Sequence, residues 1–137
     1  MFLFLVIFIS QFSAHYCCLS TPSQDATPEV PVLPCTTCVA PMFTDPPGTF
    51  KRGTGSIVAG DPVGPGCVTF VITCDAATPA GNAVVIGANM DTIPISTAGT
   101  PGPKMATIGC NADGQLEGRT VPDGDTVIIT SVYCSNN

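Results

Sequence analysis

Apolar and polar positions alternate most cleanly over residues 66–74. Val68, Phe70, Ile72 and Cys74 fall on one face of an extended chain there, and Cys67, Thr69, Val71 and Thr73 on the other. β-Branched and aromatic residues fill the segment, Pro65-Gly66 precedes it and Asp75 follows, so the pattern predicts a strand. Shorter runs of the same kind predict strands at 56–59, 83–86, 105–110, 115–121 and 126–134. In the last of these Ile128, Thr130, Val132 and Cys134 share one face. Residues 41–48, 78–82 and 122–125 carry turn chemistry, and Asp113-Gly114 reads as the tip of a hairpin. Residues 89–104 hold three prolines and two glycines among small polar side chains and predict a long, mobile loop. No window sustains an apolar i, i+3, i+4 pattern between caps, so helix is not expected. The fold class that follows is all-β: a small disulfide-stabilised antiparallel β-sandwich, with an immunoglobulin-like arrangement among the architectures that fit.

The first nine residues are an apolar run followed at once by Ser10-Gln11. As a helix they reach ~14 Å, about half a bilayer core, which is short for a span and right for the apolar region of a secretory signal peptide. Residues 1–20 are therefore expected to be a signal peptide, cleaved after Ala14 or after Ser20. The first choice retains Cys17-Cys18 and the second removes it. Residues 21–34, rich in threonine and proline, are expected to form an extended linker that offers hydroxyls for O-glycans. A domain over 35–134 and a short tail over 135–137 complete the expected organisation. No later apolar span and no hydrophobic C-terminal stretch is present, so a secreted chain without membrane insertion or anchor is the expectation.

Composition narrows the function classes. Charged residues are only 10% of the chain and the formal net charge is −6. The basic residues Lys51, Arg52, Lys104 and Arg119 are scattered, so no basic stripe exists to replace phosphate counterions and nucleic acid is not an expected partner. The single histidine is His15, in the expected signal region, and without imidazole neither a Ser-His-Asp nor a Cys-His arrangement can be assembled. Acidic residues sit mostly in Gly/Pro turns, where aspartate ordinarily serves local turn bonding. Asp123-Gly124-Asp125 has the look of a calcium ligand pair but lacks the further oxygens and closing glutamate of an EF-hand loop. No cofactor, metal or catalytic residue is expected.

Cysteine chemistry points to structure. Cys35-x-x-Cys38 lacks a second ligand pair for zinc, and Pro41 opposes the helix a thioredoxin-like site needs. Cys67 and Cys74 point to opposite faces of one strand and lie ~23 Å apart, beyond disulfide reach, so each must bond a distant part of the chain. Structural disulfides in an oxidising compartment follow.

The segments CTTC (35–38), GCVTFVITC (66–74), ATIGCNADGQ (106–115) and ITSVYC (129–134), preceded by a Thr/Pro linker, resemble the six-cysteine extracellular domain found chiefly in nematode secreted proteins. The resemblance covers about residues 35–134. It implies an extracellular module of undefined biochemical activity, carries over no catalytic residue, and implies a Cys35–Cys67 bond. For the remaining four cysteines, Cys74 and Cys110 each sit on the apolar face of their strands, so a bond through the core is expected between them, as in sandwiches bridged sheet to sheet. Cys38–Cys134 then ties the first segment to the last strand.

Function is expected to be that of a non-catalytic interaction module that binds an extracellular protein or glycan through loops on a braced scaffold. The alternative is a small secreted enzyme inhibitor or effector, with Lys104 in the proline-stiffened stretch 101–105 offered to a trypsin-like pocket. An enzyme resting on turn carboxylates stands behind both.

Overall fold

The strand-forming segments sort into two sheets. The computed structural model describes residues 31–136. The expected signal peptide, its cleavage choices, Cys17-Cys18 and most of the linker lie outside the described residues. The strands are β1 (Met42–Phe43), β2 (Lys51–Arg52), β3 (Gly55–Ala59), β4 (Thr69–Cys74), β5 (Val84–Ala88), β6 (Ile93–Pro94), β7 (Lys104–Cys110), β8 (Leu116–Arg119), β9 (Thr126–Ile128) and β10 (Ser131–Asn136), with one 3-10 turn at Pro34–Thr36. One sheet runs β3-β4-β7-β8-β9; the other runs β1-β10-β5-β6, with β2 also pairing β10. All pairings are antiparallel except β1 with β10, which is parallel.

The core lies between the sheets, where alternation from both sides meets. Ile72 and Cys74 of β4, Ile108 of β7 and Leu116 of β8 pack against Val84, Ile86 and Ala88 of β5 and Val132 and Cys134 of β10. Ile72, Val84, Ile86, Ala88, Val132 and Cys74 are fully enclosed. Each large aliphatic side chain buried in this way contributes about 1.5–3 kcal/mol. The sandwich and its all-β, disulfide-stabilised character agree with the expectation from the sequence. Its strand order differs from the sheets of immunoglobulin domains.

Two local expectations give way. Residues 126–134 do not form one strand: β9 ends at Ile128, and β10 begins at Ser131 in the other sheet. The break inverts the alternation, so Ile128 and Thr130 face out, Ile129 faces in, and Val132 and Cys134 resume the core face. The break is braced by Asn89. Its side-chain oxygen accepts the Thr130 N–H at 2.8 Å and the Thr130 hydroxyl at 3.1 Å, and its amide donates to the Ile128 carbonyl at 2.6 Å. The second correction concerns residues 89–104, which are not a free loop. The chain folds back as β6 beside β5; the Ile95 N–H donates to the Ile86 carbonyl at 2.9 Å, and the buried Ser96 hydroxyl accepts the Ile86 N–H at 2.9 Å. β5 would otherwise present unpaired backbone groups on that side, which is why the segment is drawn in. β10 also runs through Ser135 and Asn136, past the expected end of the domain, pairing them with β2 and β5.

The disulfides are Cys35–Cys67, Cys38–Cys110 and Cys74–Cys134. The expected Cys74–Cys110 and Cys38–Cys134 bonds are thereby corrected. β4 and β7 are hydrogen-bonded neighbours in one sheet, with Cys74 opposite Lys104 and Thr69 opposite Gly109. Cys74 and Cys110 therefore stand at opposite ends of the same ladder, about 20 Å apart. The partner across the core is Cys134, on β10 of the facing sheet. Cys110 lies instead beside the first segment, where the Cys110 N–H donates to the Val68 carbonyl and the Val68 N–H to the Cys35 carbonyl. Two bonds thus fasten residues 35–38 to one end of the β4-β7 sheet, and the third crosses the sandwich.

Candidate binding surface

The outer face of β5 and β10 carries a cleft built around a buried tyrosine. Tyr133 stands opposite Gly87 in the ladder, and its ring lies flat over that glycine: a Cβ built on Gly87 would overlap Tyr133 Cζ and OH and come within 2.6 Å of Cε1. The Tyr133 hydroxyl donates to the Asp91 carbonyl at 2.7 Å. Asp91 is presented by a tight turn in which Asn89 and Met90 both take positive φ, 62° and 58°. Burial pushes the Tyr133 phenol above its ordinary pKa, and the nearby Asp91 carboxylate adds to the effect.

Around this ring, Phe50, Val85, Thr92, Pro94, Ala98 and Ser135 close a cleft of about 160 Å³. Phe50 keeps 41% of its surface exposed while Tyr133 keeps 2%, so one aromatic is a fixed floor and the other an open wall. The lining holds no charged side chain. Such a cleft is smaller than the usual site for a whole small-molecule ligand and has the size and polarity for one apolar group projecting from a larger partner.

The residues singled out by sequence take other roles. Cys35 and Cys38 bond different partners, so the C-x-x-C stretch is neither a dithiol nor a metal pair. Among the described residues no group of three or more His, Cys, Asp or Glu side chains converges on a point where a metal could sit. Asp123 and Asp125 lie exposed in the β8–β9 turn, where the Asp125 N–H donates to the Thr120 hydroxyl at 2.9 Å. Lys104 opens β7 with its ammonium donating to the hydroxyls of Thr97, at 2.8 Å, and Thr100. That contact ties the end of the 95–104 segment to its own middle and occupies the Lys104 ammonium at the surface. Neither Tyr133 nor Gly87 was prominent in the sequence. The available signal was Gly87 itself, a glycine inside an otherwise apolar strand, which marks a close approach.

No family model, no curated protein and no solved structure matches the chain. The three intramolecular disulfides point to an oxidising, secreted-type environment. No helix among the described residues is long and apolar enough to cross a membrane.

Proposed function

We propose that this protein is a secreted, non-catalytic extracellular interaction module, with a signal peptide over 1–20 and a Thr/Pro linker over 21–34 that holds the domain away from its neighbours. Membership in the six-cysteine extracellular family belongs to the same reading and rests on the cysteine-bearing segments quoted above. The observation that carries the proposal is the uncharged cleft between Phe50 and Tyr133, built on a face whose backbone is fixed from both sides. A half-exposed aromatic beside a buried one is the kind of anchor pocket that protein interfaces centre on, and it suits the apolar face of a sugar equally. The partner is accordingly an extracellular protein or glycan.

The test is capture from extracellular matrix and cell-surface extracts, together with glycan screens, by the oxidised chain. Wild type is expected to retain a partner that Phe50→Ala and Ala98→Arg both release while leaving the disulfide map intact. Folded protein that retains nothing in any of the three screens would end this reading. The inhibitor alternative needs Lys104 in a protease pocket, and its ammonium is already engaged by Thr97 and Thr100. Stoichiometric inhibition of trypsin, lost on Lys104→Ala, would restore it.

A further inference from the structure

The free edges of the two sheets are not alike. β6 is two residues long and contains Pro94; β1 is two residues long; β2 is two residues long and both, Lys51 and Arg52, are charged. β9 is three residues long, and its outward Ile128 carbonyl is capped by the Asn89 amide. Each of these is a device that blunts an edge against further pairing. β3 has none of them. It is five residues, Gly55-Ser56-Ile57-Val58-Ala59, without charge or proline, and among the described residues it pairs with β4 alone.

Its hydrogen-bond register can be read from its ends. Gly60 donates to the Thr69 carbonyl and Asp75 to the Thr54 carbonyl, both at 2.9 Å, so residues 54, 56, 58 and 60 turn their backbone groups toward β4. Gly55, Ile57 and Ala59 therefore turn theirs outward. Val58 is 55% exposed on the outer face, and Ile57, which packs against the core cluster, is still partly open at the sheet edge.

We propose that β3 is the interface for a second copy of this chain, joined antiparallel about a two-fold axis through Ile57, so that the two five-stranded sheets become one. In that register Gly55 faces the partner's Ala59, Ile57 faces the partner's Ile57, and all three outward residues of each copy fall in hydrogen-bonded positions, giving about six backbone bonds. The part of each Ile57 left open at the edge covers the other. No like charges meet along the pair, and the ends are complementary: Lys51 and Arg52 precede β3 and Asp61 follows it, so antiparallel pairing carries the acidic end of one copy toward the basic end of the other. A single strand a side is a small interface, so the dimer is weak and concentration dependent.

Sedimentation equilibrium of the full oxidised chain from about 10 µM to about 1 mM tests this. The mass is expected to rise from monomer toward dimer, with amide protection at Gly55, Ile57 and Ala59 rising in step. Ala59→Pro removes an outward donor at a position an edge strand tolerates, and Val58→Lys adds a surface charge beside the axis. Each is expected to weaken the dimer at least about tenfold with disulfides and unfolding midpoint unchanged, and the second serves if the first fails to fold. A monomer throughout the range overturns the proposal. So does a dimer that both folded variants leave intact, or protection of those three amides that ignores concentration, which would mean that something other than a second copy holds the edge.

Discussion

Replacing Gly87 with alanine is the most direct probe of how the binding face is built. The added Cβ would occupy the space of Tyr133 Cζ and OH, and the ring cannot swing aside cheaply, because it is 2% exposed and its hydroxyl is bonded to the Asp91 carbonyl. Overpacking of this kind costs about 1–3 kcal/mol, and losing the buried tyrosine hydrogen bond adds about 1 kcal/mol. Gly87→Ala is therefore expected to destabilise the oxidised domain by about 3 kcal/mol, a large share of what a small domain has. Tyr133→Phe, which keeps the ring and removes only the hydroxyl, is expected to cost about 1 kcal/mol. A double-mutant cycle decides whether the mechanism is right: with Tyr133→Ala already in place there is no ring to hit, so adding Gly87→Ala is expected to cost about 0.5 kcal/mol or less. Urea midpoints with all disulfides intact read all four corners. Equal costs for Gly87→Ala in both backgrounds would refute the reasoning and mean that Gly87 serves the strand for some reason other than the ring.

Three further outcomes follow from named contacts. The folded-state pKa of Tyr133 is raised above its unfolded value, so the stabilisation tied to its neutral phenol is complete below about pH 10 and is lost as pH climbs toward the folded pKa; Tyr133→Phe is expected to flatten that part of the stability–pH curve, measured by urea unfolding at alkaline pH. Asn89→Gly keeps the backbone free to take positive φ but removes the bonds to Ile128 and Thr130, and is expected to cost about 2 kcal/mol with rapid amide exchange appearing at Thr130. Removing the Cys74–Cys134 bond by double serine or alanine replacement opens a separation of 60 residues and is expected to cost about 4 kcal/mol by loop entropy, whereas a chelator is expected to leave the unfolding midpoint where it was.

Local patterns in this chain carried what depends on neighbours in sequence. Residues 66–74 alternate because one face of β4 is core, and the strand lies where the alternation puts it, with Ile72 and Cys74 enclosed. The Asp113-Gly114 turn works as its composition implies: Gly114 takes a φ of 75°, and the Asn111 side chain accepts the N–H groups of Asp113 and Gln115. What was not legible depends on partners far away. Residues 126–134 contain neither glycine nor proline, so nothing within them announces the change of sheet. The residue that fixes it, Asn89, lies 41 positions earlier. The cleft is hidden for the same reason, since Phe50, Pro94 and Tyr133 meet only once β2, β6 and β10 have joined β5 in one sheet.

The disulfide pairing fails from sequence in an instructive way, because the error lies in topology and not in side-chain direction. Cys74 and Cys110 do both lie on core-facing positions, and both are buried, as alternation requires. Alternation states which face a residue occupies and is silent on which sheet the strand joins. Two inward cysteines on adjacent strands of one sheet can bond only if they are in register, and here the ladder offsets them by its whole length. The same core position becomes bondable as soon as the opposing residue is taken from β10. The crossing from β9 to β10 is thus what makes Cys134 available to Cys74, by placing the last strand in the facing sheet while its neighbour β9 stays behind. The sequence of events implied in folding is that the Asn89 brace and the Cys74–Cys134 bond depend on one arrangement: both require residues 129–130 to step from one sheet to the other. If Asn89 is the residue that holds that step, oxidative refolding of Asn89→Gly should yield more mispaired Cys74 than wild type; equal yields of the native Cys74–Cys134 peptide would show that core packing around Val132 and Ile129 sets the crossing without it.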